Sequence, residues 1–295
     1  MIKRIYSKLN QYLARRQKRK LVKRYLKNGQ KPWTAGYELY KWKQIKTSLA
    51  CESIMTAFQN TIDLPDAYGF RIDERIIEYP WLFSRLSNKK SHTLDAGSAL
   101  NFGPIIEKLH SLQRELTIYT LAPEDKAFWK QKVSYQYGDL RALPFQNNWF
   151  NEVISLSTLE HIGASNHLYT TDTADAHEDN QQDFTAAAQE MWRVLKPGGD
   201  LFITVPYGSY QEIFVDRQLF MRQFDNVLLQ QLLKCFPDAC VNLFFYQYHP
   251  HGWQRSTQNA CNQLQYFNIH TAADYDNDYA AAARAVCCIH AQKPV

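Results

Sequence analysis

The sequence predicts a doubly wound α/β sheet of seven strands with an N-terminal helical extension. Three observations carry that expectation. Strand-like and helix-like segments alternate from His92 to the C-terminus, the apolar segment "FTAAAQEMWRVL" stops at "KPGG", and a basic arm stands ahead of an acidic remainder. Alternation of this kind builds a sheet with helices on both faces and ligands at the carboxyl ends of its strands.

The arm comes first in the chain. Residues 1–31 hold 12 Lys/Arg and no Asp/Glu, which leaves 22 Lys/Arg against 29 Asp/Glu, a net −7, for the rest of a chain whose overall charge is +5. Ile2, Ile5, Tyr6, Leu9, Tyr12 and Leu13 recur at helical spacing, and Leu21, Val22, Tyr25 and Leu26 resume the pattern after "RRQKRK". With no Pro or Gly before Gly29, one amphipathic helix is predicted. A cationic face opposite Ile, Leu and Tyr suits an anionic membrane surface through residues 1–27. Docking of the helix on the body or on a partner protein stands beside that reading. Nucleic acid fits the charge but not the apolar stripe.

Residues 32–90 are aromatic-rich and predict a helical N-terminal cap, with helices near 37–60 and 73–87 and a turn around Pro65 and Gly69. Residues 91–295 form the third part, where the strands are read. They are "HTLDAG", "ELTIYTLA", "VSYQYGD", "FNEVISLS", "DLFITVPYG", "ACVNLFFYQY" and "ARAVCCIHAQ", with a helix over 103–114 after the first. "KPGG" is a stop-and-turn signal ahead of the fifth strand. A hydrophobic content of 45% is enough for a core, and 14% aromatic residues argue against disorder. The basic start is not followed by an apolar h-region, and no run approaches the ~20 apolar residues that span a bilayer. Cys51, Cys235, Cys240, Cys261, Cys287 and Cys288 form no CxxC pair and read as reduced, mostly buried thiols of a cytosolic protein.

The loop "HTLDAGSALNFGP" decides between ligands. A dinucleotide site needs G-x-G-x-x-G so that the backbone can approach a pyrophosphate, and here Asp95 precedes a lone Gly97. An acid at that place repels phosphate and suits a cationic ligand that carries none. S-adenosylmethionine is such a ligand. Gly97 would keep the loop close to its methionine part, with Ser98 and Asn101 as hydrogen-bonding side chains. An NAD-linked oxidoreductase is disfavoured on the same ground.

Three segments carry a resemblance: "LDAGS" at 94–98, "GDLRALPFQNNWFNEVISLSTLEHIG" at 138–163 and "EMWRVLKPGGDLFITVP" at 190–206. In order and spacing the chain resembles the class I S-adenosylmethionine-dependent methyltransferases, their type-11-like branch in particular. The flanks "DERIIEYPW" and "AAARAVCCI" resemble a bacterial subgroup associated with surface-glycan gene clusters. The resemblance implies a Rossmann-like, mostly parallel sheet with its last strand antiparallel. It makes Asp95 and Gly97 contacts to the methionine portion, Asp139 the acceptor of the adenine amino group and Leu140 a neighbour of the ring. Ser155 joins the cofactor-binding set on the fourth strand. The acid that usually ends the second strand and grips the ribose is replaced by Thr120, with Glu124 and Asp125 a few residues on.

"STLEHIG" leaves the fourth strand where the methyl group should point, so His161 is the first candidate base and Glu160 the second. The alternative is that this pair shapes the pocket without touching protons. Residues 163–183 read as a polar lid or binding loop, disorder being the alternative; the spacing of His167, His177 and the nearby acids fits no metal-ligand pattern, so no metal is expected. "YHPHGW" at 248–253 reads as a loop lining the acceptor pocket, and Arg75, Glu78, Tyr79 and Trp81 as a cap over the cofactor, the alternative being core aromatics and solvated charges. The function expected is methylation of a small molecule or glycan intermediate, a sugar hydroxyl in surface-polysaccharide synthesis included, in the cytoplasm or peripherally on the inner face of the membrane. An RNA methyltransferase and a catalytically inactive, membrane-tethered subunit of the same fold are the alternatives; the acidic body disfavours nucleic acid.

Overall fold

The computed structural model describes residues 2–165 and 183–295. Helix α1 (Ile2–Lys27) leads into α2 (Tyr37–Ala50), α3 (Glu52–Asn60) and α4 (Arg75–Phe83). The α/β part follows as β1 (Ser91–Ala96), α5 (Gly103–Ser111), β2 (Arg114–Thr120), β3 (Ser134–Tyr137), β4 (Phe150–Leu156), α6 (Asp183–Val194) and β5 (Leu195–Pro206). A hairpin of β6 (Gln211–Val215) and β7 (Gln218–Gln223) comes next. The chain then runs through α7 (Asn226–Leu233), β8 (Cys240–His249), β9 (Gly252–Ser256), the short α8 (Gln258–Cys261) and β10 (Ala285–Gln292).

The main sheet has eight strands in the order β3-β2-β1-β4-β5-β10-β8-β9, one more than the sequence predicts. The extra strand is β9, cut from "GWQRS", whose polar residues give no apolar run but pair antiparallel with β8 at the sheet edge. β1 pairs in parallel with both β2 and β4, so the strand order reverses there and opens a crevice at their carboxyl ends. β10 lies antiparallel between β5 and β8, as the resemblance implies for the last strand.

Strand alternation sends successive side chains to opposite layers. Ile154, Phe202 and Cys288 face a layer shared by α2, α3, α4 and α5, where Ile45, Phe58, Trp81 and Ile105 pack. Val153, Ile203 and Cys287 face the other layer, against Phe184 and Met191 of α6 and Leu229 of α7. Segment 32–90 therefore shares one continuous core with the sheet. The adjacent Cys287 and Cys288 are both fully buried, one in each layer.

Several boundaries differ from the sequence reading. The helix expected over 37–60 breaks at Cys51, whose backbone is extended (φ −94, ψ 110). "KPGG" does not end outside the sheet: β5 begins at Leu195, and the turn is absorbed as a register shift opposite Phe150 and Glu152. Gly198 takes φ +72 there, a left-handed conformation glycine adopts without strain.

Helix α1 forms, but not with one continuous stripe. At 3.6 residues per turn Leu13 and Val22 lie on opposite sides. Only the second side meets the body: Tyr25 is buried against Tyr37 and Tyr40, with ring centroids 6.1 and 5.4 Å away, while every residue from Tyr12 to Leu21 is exposed. Among the residues whose side chains are described, docking on the body is confined to the last turns. Among the described residues no helix is long and apolar enough to cross a membrane.

Candidate functional site

The crevice is organised by the loop after β1. Asp95 ends that strand fully buried, and its Oδ2 accepts from the Leu100 N–H at 2.8 Å, which folds the loop back on the strand. Burial pushes its carboxyl up to about 7, against the pull of the Leu100 and Ala99 N–H donors, and Oδ1 has no partner. Gly97 takes φ +119, and a Cβ there would lie 2.2 Å from Thr158 Oγ1. The missing side chain is what lets the loops after β1 and β4 touch. Ser98 follows at φ +65, with its buried hydroxyl unpartnered at the wall of the cleft.

The cleft encloses about 890 Å³. Gly97, Ser98, Asn101, Thr120, Asp139, Leu140 and His161 all line it, together with Glu124 and, on the N-terminal side, Trp42 and Tyr79. Asn101 differs from expectation in its partners. Its amide nitrogen donates to Glu124 Oε2 at 2.9 Å and the Lys126 carbonyl at 3.0 Å, and its oxygen accepts from the Tyr135 hydroxyl at 2.8 Å. Asn101 thus clips the loop after β2 and, with it, Glu124 to the wall beside Thr120. Asp139 is gripped by Arg141, Nε to Oδ2 at 2.8 Å and Nη2 to Oδ2 at 2.6 Å. Partial burial works against that charge, but the Arg141 bonds hold the carboxyl below its usual range. The Arg141 backbone N–H also donates to Oδ1, at 2.8 Å, so three N–H donors hold most of the carboxylate's four or so acceptor sites and about one remains for a ligand N–H.

Two expectations are corrected. Ser155 lies one residue before the end of β4, fully buried and paired with Ile203, and is not part of the cleft wall; Ser157 and Thr158, past the strand end, take that place. His249 and His251 flank the turn between β8 and β9 at the far sheet edge and line neither cavity. The acidic stretch with His167 and His177 lies outside the described residues, among which no cluster suited to a metal ion occurs.

A second chamber of about 200 Å³ adjoins the cleft and shares Lys41, Arg75, Ser157 and His161 with it. Glu160 lines this chamber alone, 2% exposed, with Oε2 unpartnered and its carboxyl held well above the usual range by burial. His161 lines both. Its Nδ1 lies 2.9 Å from the Phe220 carbonyl, which can only accept, so Nδ1 carries the proton of the neutral ring. Burial lowers His161 to about 4.

The N-terminal helices supply most of the charge here. Arg75 Nη1 reaches Glu78 Oε2 at 2.8 Å and the Leu156 carbonyl at 3.1 Å, and the Ser157 and Thr204 hydroxyls both donate to Glu78 Oε1. Glu78 is therefore a buried anchor of the ends of β4 and β5, not a solvated charge. Tyr79 lines the cleft with its hydroxyl donated to the Ala99 carbonyl at 2.6 Å, whereas Trp81 is core. The sequence reading passed over Lys41, Asp73 and Glu74. Lys41 Nζ sits 2.7 Å from Asp73 Oδ2 and 5.0 Å from the centre of the Trp33 ring. The signal was present in "DER" ahead of an apolar helix, three charges where the chain turns inward.

The geometry is that of a ligand crevice at a strand-order switch, with an unpartnered hydroxyl and no glycine cradle for phosphate. Residues 94–203 match the family model described as a methyltransferase domain. That match and the sheet order give the chain the Rossmann-like architecture of the class I methyltransferases. No curated protein matches the chain by sequence. Among solved structures it is similar to the 1,6-didemethyltoxoflavin N1-methyltransferase of Burkholderia thailandensis, at 14% identity over 70% of this chain and 72% of that one, TM-score 0.42. A Methanosarcina mazei S-adenosylmethionine-dependent methyltransferase is similar at 12% identity over 72% and 97%, TM-score 0.43. A putative methyltransferase of Bacillus halodurans is similar at 13% over 72% and 96%, TM-score 0.41. Likeness at these values says nothing about substrate.

Proposed function

We propose that this chain transfers a methyl group from S-adenosylmethionine to a small molecule or glycan intermediate, a surface-polysaccharide precursor included. The observation that carries the proposal is the cleft at the ends of β1 and β4, lined by the unpartnered Ser98 hydroxyl and lacking a phosphate cradle. Its volume suits one cofactor-sized ligand. When bound, the cofactor supplies a methyl group already activated by a sulfonium.

The residues present fit that group. Ser98 hydrogen-bonds the amino-acid end, while Asp95 holds the loop that presents it. Asp139 accepts the adenine amino group beside Leu140. Glu124, pinned by Asn101, stands in with Thr120 for the missing ribose acid. That arrangement favours a working cofactor site over an inactive subunit of the same fold.

Proton handling falls to Glu160 before His161. A ring held near 4 stays neutral and is a weak base, whereas a buried carboxyl held above its usual range accepts protons readily. His161 then positions the acceptor.

Helix α1 supports a cytoplasmic enzyme resting peripherally on an anionic membrane. Its exposed cationic stretch carries Tyr12 and Leu13 on the side away from the body.

Calorimetric titration with S-adenosylhomocysteine tests the central reading. Binding with a Kd on the order of micromolar, weakened at least about tenfold by Glu124→Ala, is expected. Absence of binding by folded wild-type protein would overturn it.

A further inference from the structure

We propose that the chamber beside the cleft receives an amino group: the acceptor is an amine, and Glu160 holds its ammonium and takes its proton. This rests on the methyl-transfer reading and narrows it to one nucleophile.

The charges around the chamber pair off unevenly. Lys41 is taken by Asp73 at 2.7 Å and Arg75 by Glu78 at 2.8 Å. Glu74 and Glu160 also line the chamber, and each has a buried Oε2 with no hydrogen-bond partner. A buried polar atom left unsatisfied is destabilising, so two in one small cavity point to a ligand that satisfies them. His161 beside them is held neutral and adds no positive charge. Among the described residues, what remains unmatched is acidic.

The rest of the lining also favours a cation. Trp33, Phe220 and Tyr266 bring aromatic groups to the same cavity, and aromatic faces attract ammonium groups. Trp33 already carries the Lys41 ammonium over its ring. The chamber holds about 200 Å³, room for the reactive end of a molecule rather than the whole of one.

An amine also suits the proton chemistry better than an alcohol. With the chamber empty, burial shifts Glu160 toward its protonated form. An entering ammonium displaces that proton to solvent and forms an ion pair with the carboxylate. Burial raises the carboxyl and lowers the ammonium, so a proton then passes from nitrogen to Glu160. The freed lone pair forms the N–C bond as the C–S bond breaks, its electrons returning to sulfur. An alcohol would have to yield a far less acidic proton to the same group. Glu160 feels Glu74, Arg75 and Glu78 of α4 and its segment, with Lys41 and Asp73 across the cavity.

The test uses the full chain with S-adenosylhomocysteine bound and two matched probe pairs, cyclohexylamine against cyclohexanol and glucosamine against glucose. In calorimetry at neutral pH each amine should bind at least about tenfold more tightly than its alcohol. Titration in two buffers of different ionisation enthalpy should show about one proton released per amine bound. Glu160→Gln should abolish the preference and leave the S-adenosylhomocysteine affinity unchanged, since Glu160 does not line the larger cleft. Equal or tighter alcohol binding, no binding of either probe, no proton release, or a preference that survives Glu160→Gln would each overturn the proposal. The wild-type preference and the proton count need no variant to fold. Should S-adenosylhomocysteine itself not bind, the methyl-transfer reading falls, and titration of the unloaded protein still reads the chamber.

Discussion

The imidazole of His161 donates from Nδ1 to the Phe220 carbonyl at 2.9 Å, tying the turn after β4 to the hairpin after β5. A ring fixed in this way is half-buried and stays neutral well below the ordinary histidine range. In the unfolded chain it gains its proton near pH 6.5 and in the folded chain only at about 4. Stability should therefore fall as pH drops through that window, by roughly 2–3 kcal/mol in all. Denaturant titrations of wild type and His161→Gln at several pH values check this. The slope between pH 6.5 and about 4 should be shallower in the variant.

Asp95 has the opposite sign. Its carboxyl is raised from 3.8 to about 7, so the folded chain holds a proton that the unfolded chain has lost, and stability declines as pH rises between those values. Asp95→Asn keeps an oxygen for the Leu100 N–H and removes the buried charge. The variant should gain roughly 4 kcal/mol over wild type above neutrality and much less near the lower end of the window. Chemical denaturation at both ends would show a constant difference if the idea is wrong.

Gly97→Ala should destabilise the protein by roughly 2–3 kcal/mol and weaken cofactor binding, because the new methyl group meets Thr158 and the backbone is left-handed. Thr158→Gly should recover part of the loss but not all, since the backbone strain stays. A double-mutant cycle measures the recovered part.

Far from the cleft, Arg114 and Glu152 form a buried pair across β2 and β4, with Nη2 to Oε1 at 2.6 Å and Nε to Oε2 at 3.1 Å. Thr93 adds its hydroxyl to the same carboxylate at 2.8 Å. Arg114→Met alone should cost about 3–5 kcal/mol, while Arg114→Met with Glu152→Leu should cost clearly less. Thermal or urea unfolding distinguishes the two, and equal losses would contradict the argument.

Removal of residues 2–20 should leave the melting temperature almost unchanged, because Tyr25 and the turns that bury it remain. Sedimentation with phosphatidylserine vesicles should lose the protein at the same time. A large drop in melting temperature would mean that α1 is part of the core.

The strands were legible where apolar residues run together. "VISL", "LFITV" and "AVCCI" are buried on both faces and leave no other reading. β9 was illegible because an edge strand needs no apolar run, only a partner's backbone. The break at Cys51 carries neither glycine nor proline, and local sequence does not announce it. In the site, residues after β1 and β3 could be placed because short motifs set them next to strand ends. Ser155 and Ser157 are two positions apart, one inside β4 and one just past it, and only the strand's end point separates core from cleft. The meeting of Lys41 with Asp73, and of both with Glu160, joins segments far apart in the chain, and no spacing encodes it.

The two cavities draw on different stretches of the polypeptide. Among the described residues, everything lining the larger cleft falls between Glu38 and Gly163, while Pro206, Phe220, Met221 and Tyr266 reach only the smaller chamber. On the proposed reading, substitutions in the hairpin after β5 would change the acceptor side and leave every described residue of the cofactor cleft in place. A graft of that hairpin between chains of this architecture is a direct route to new specificity.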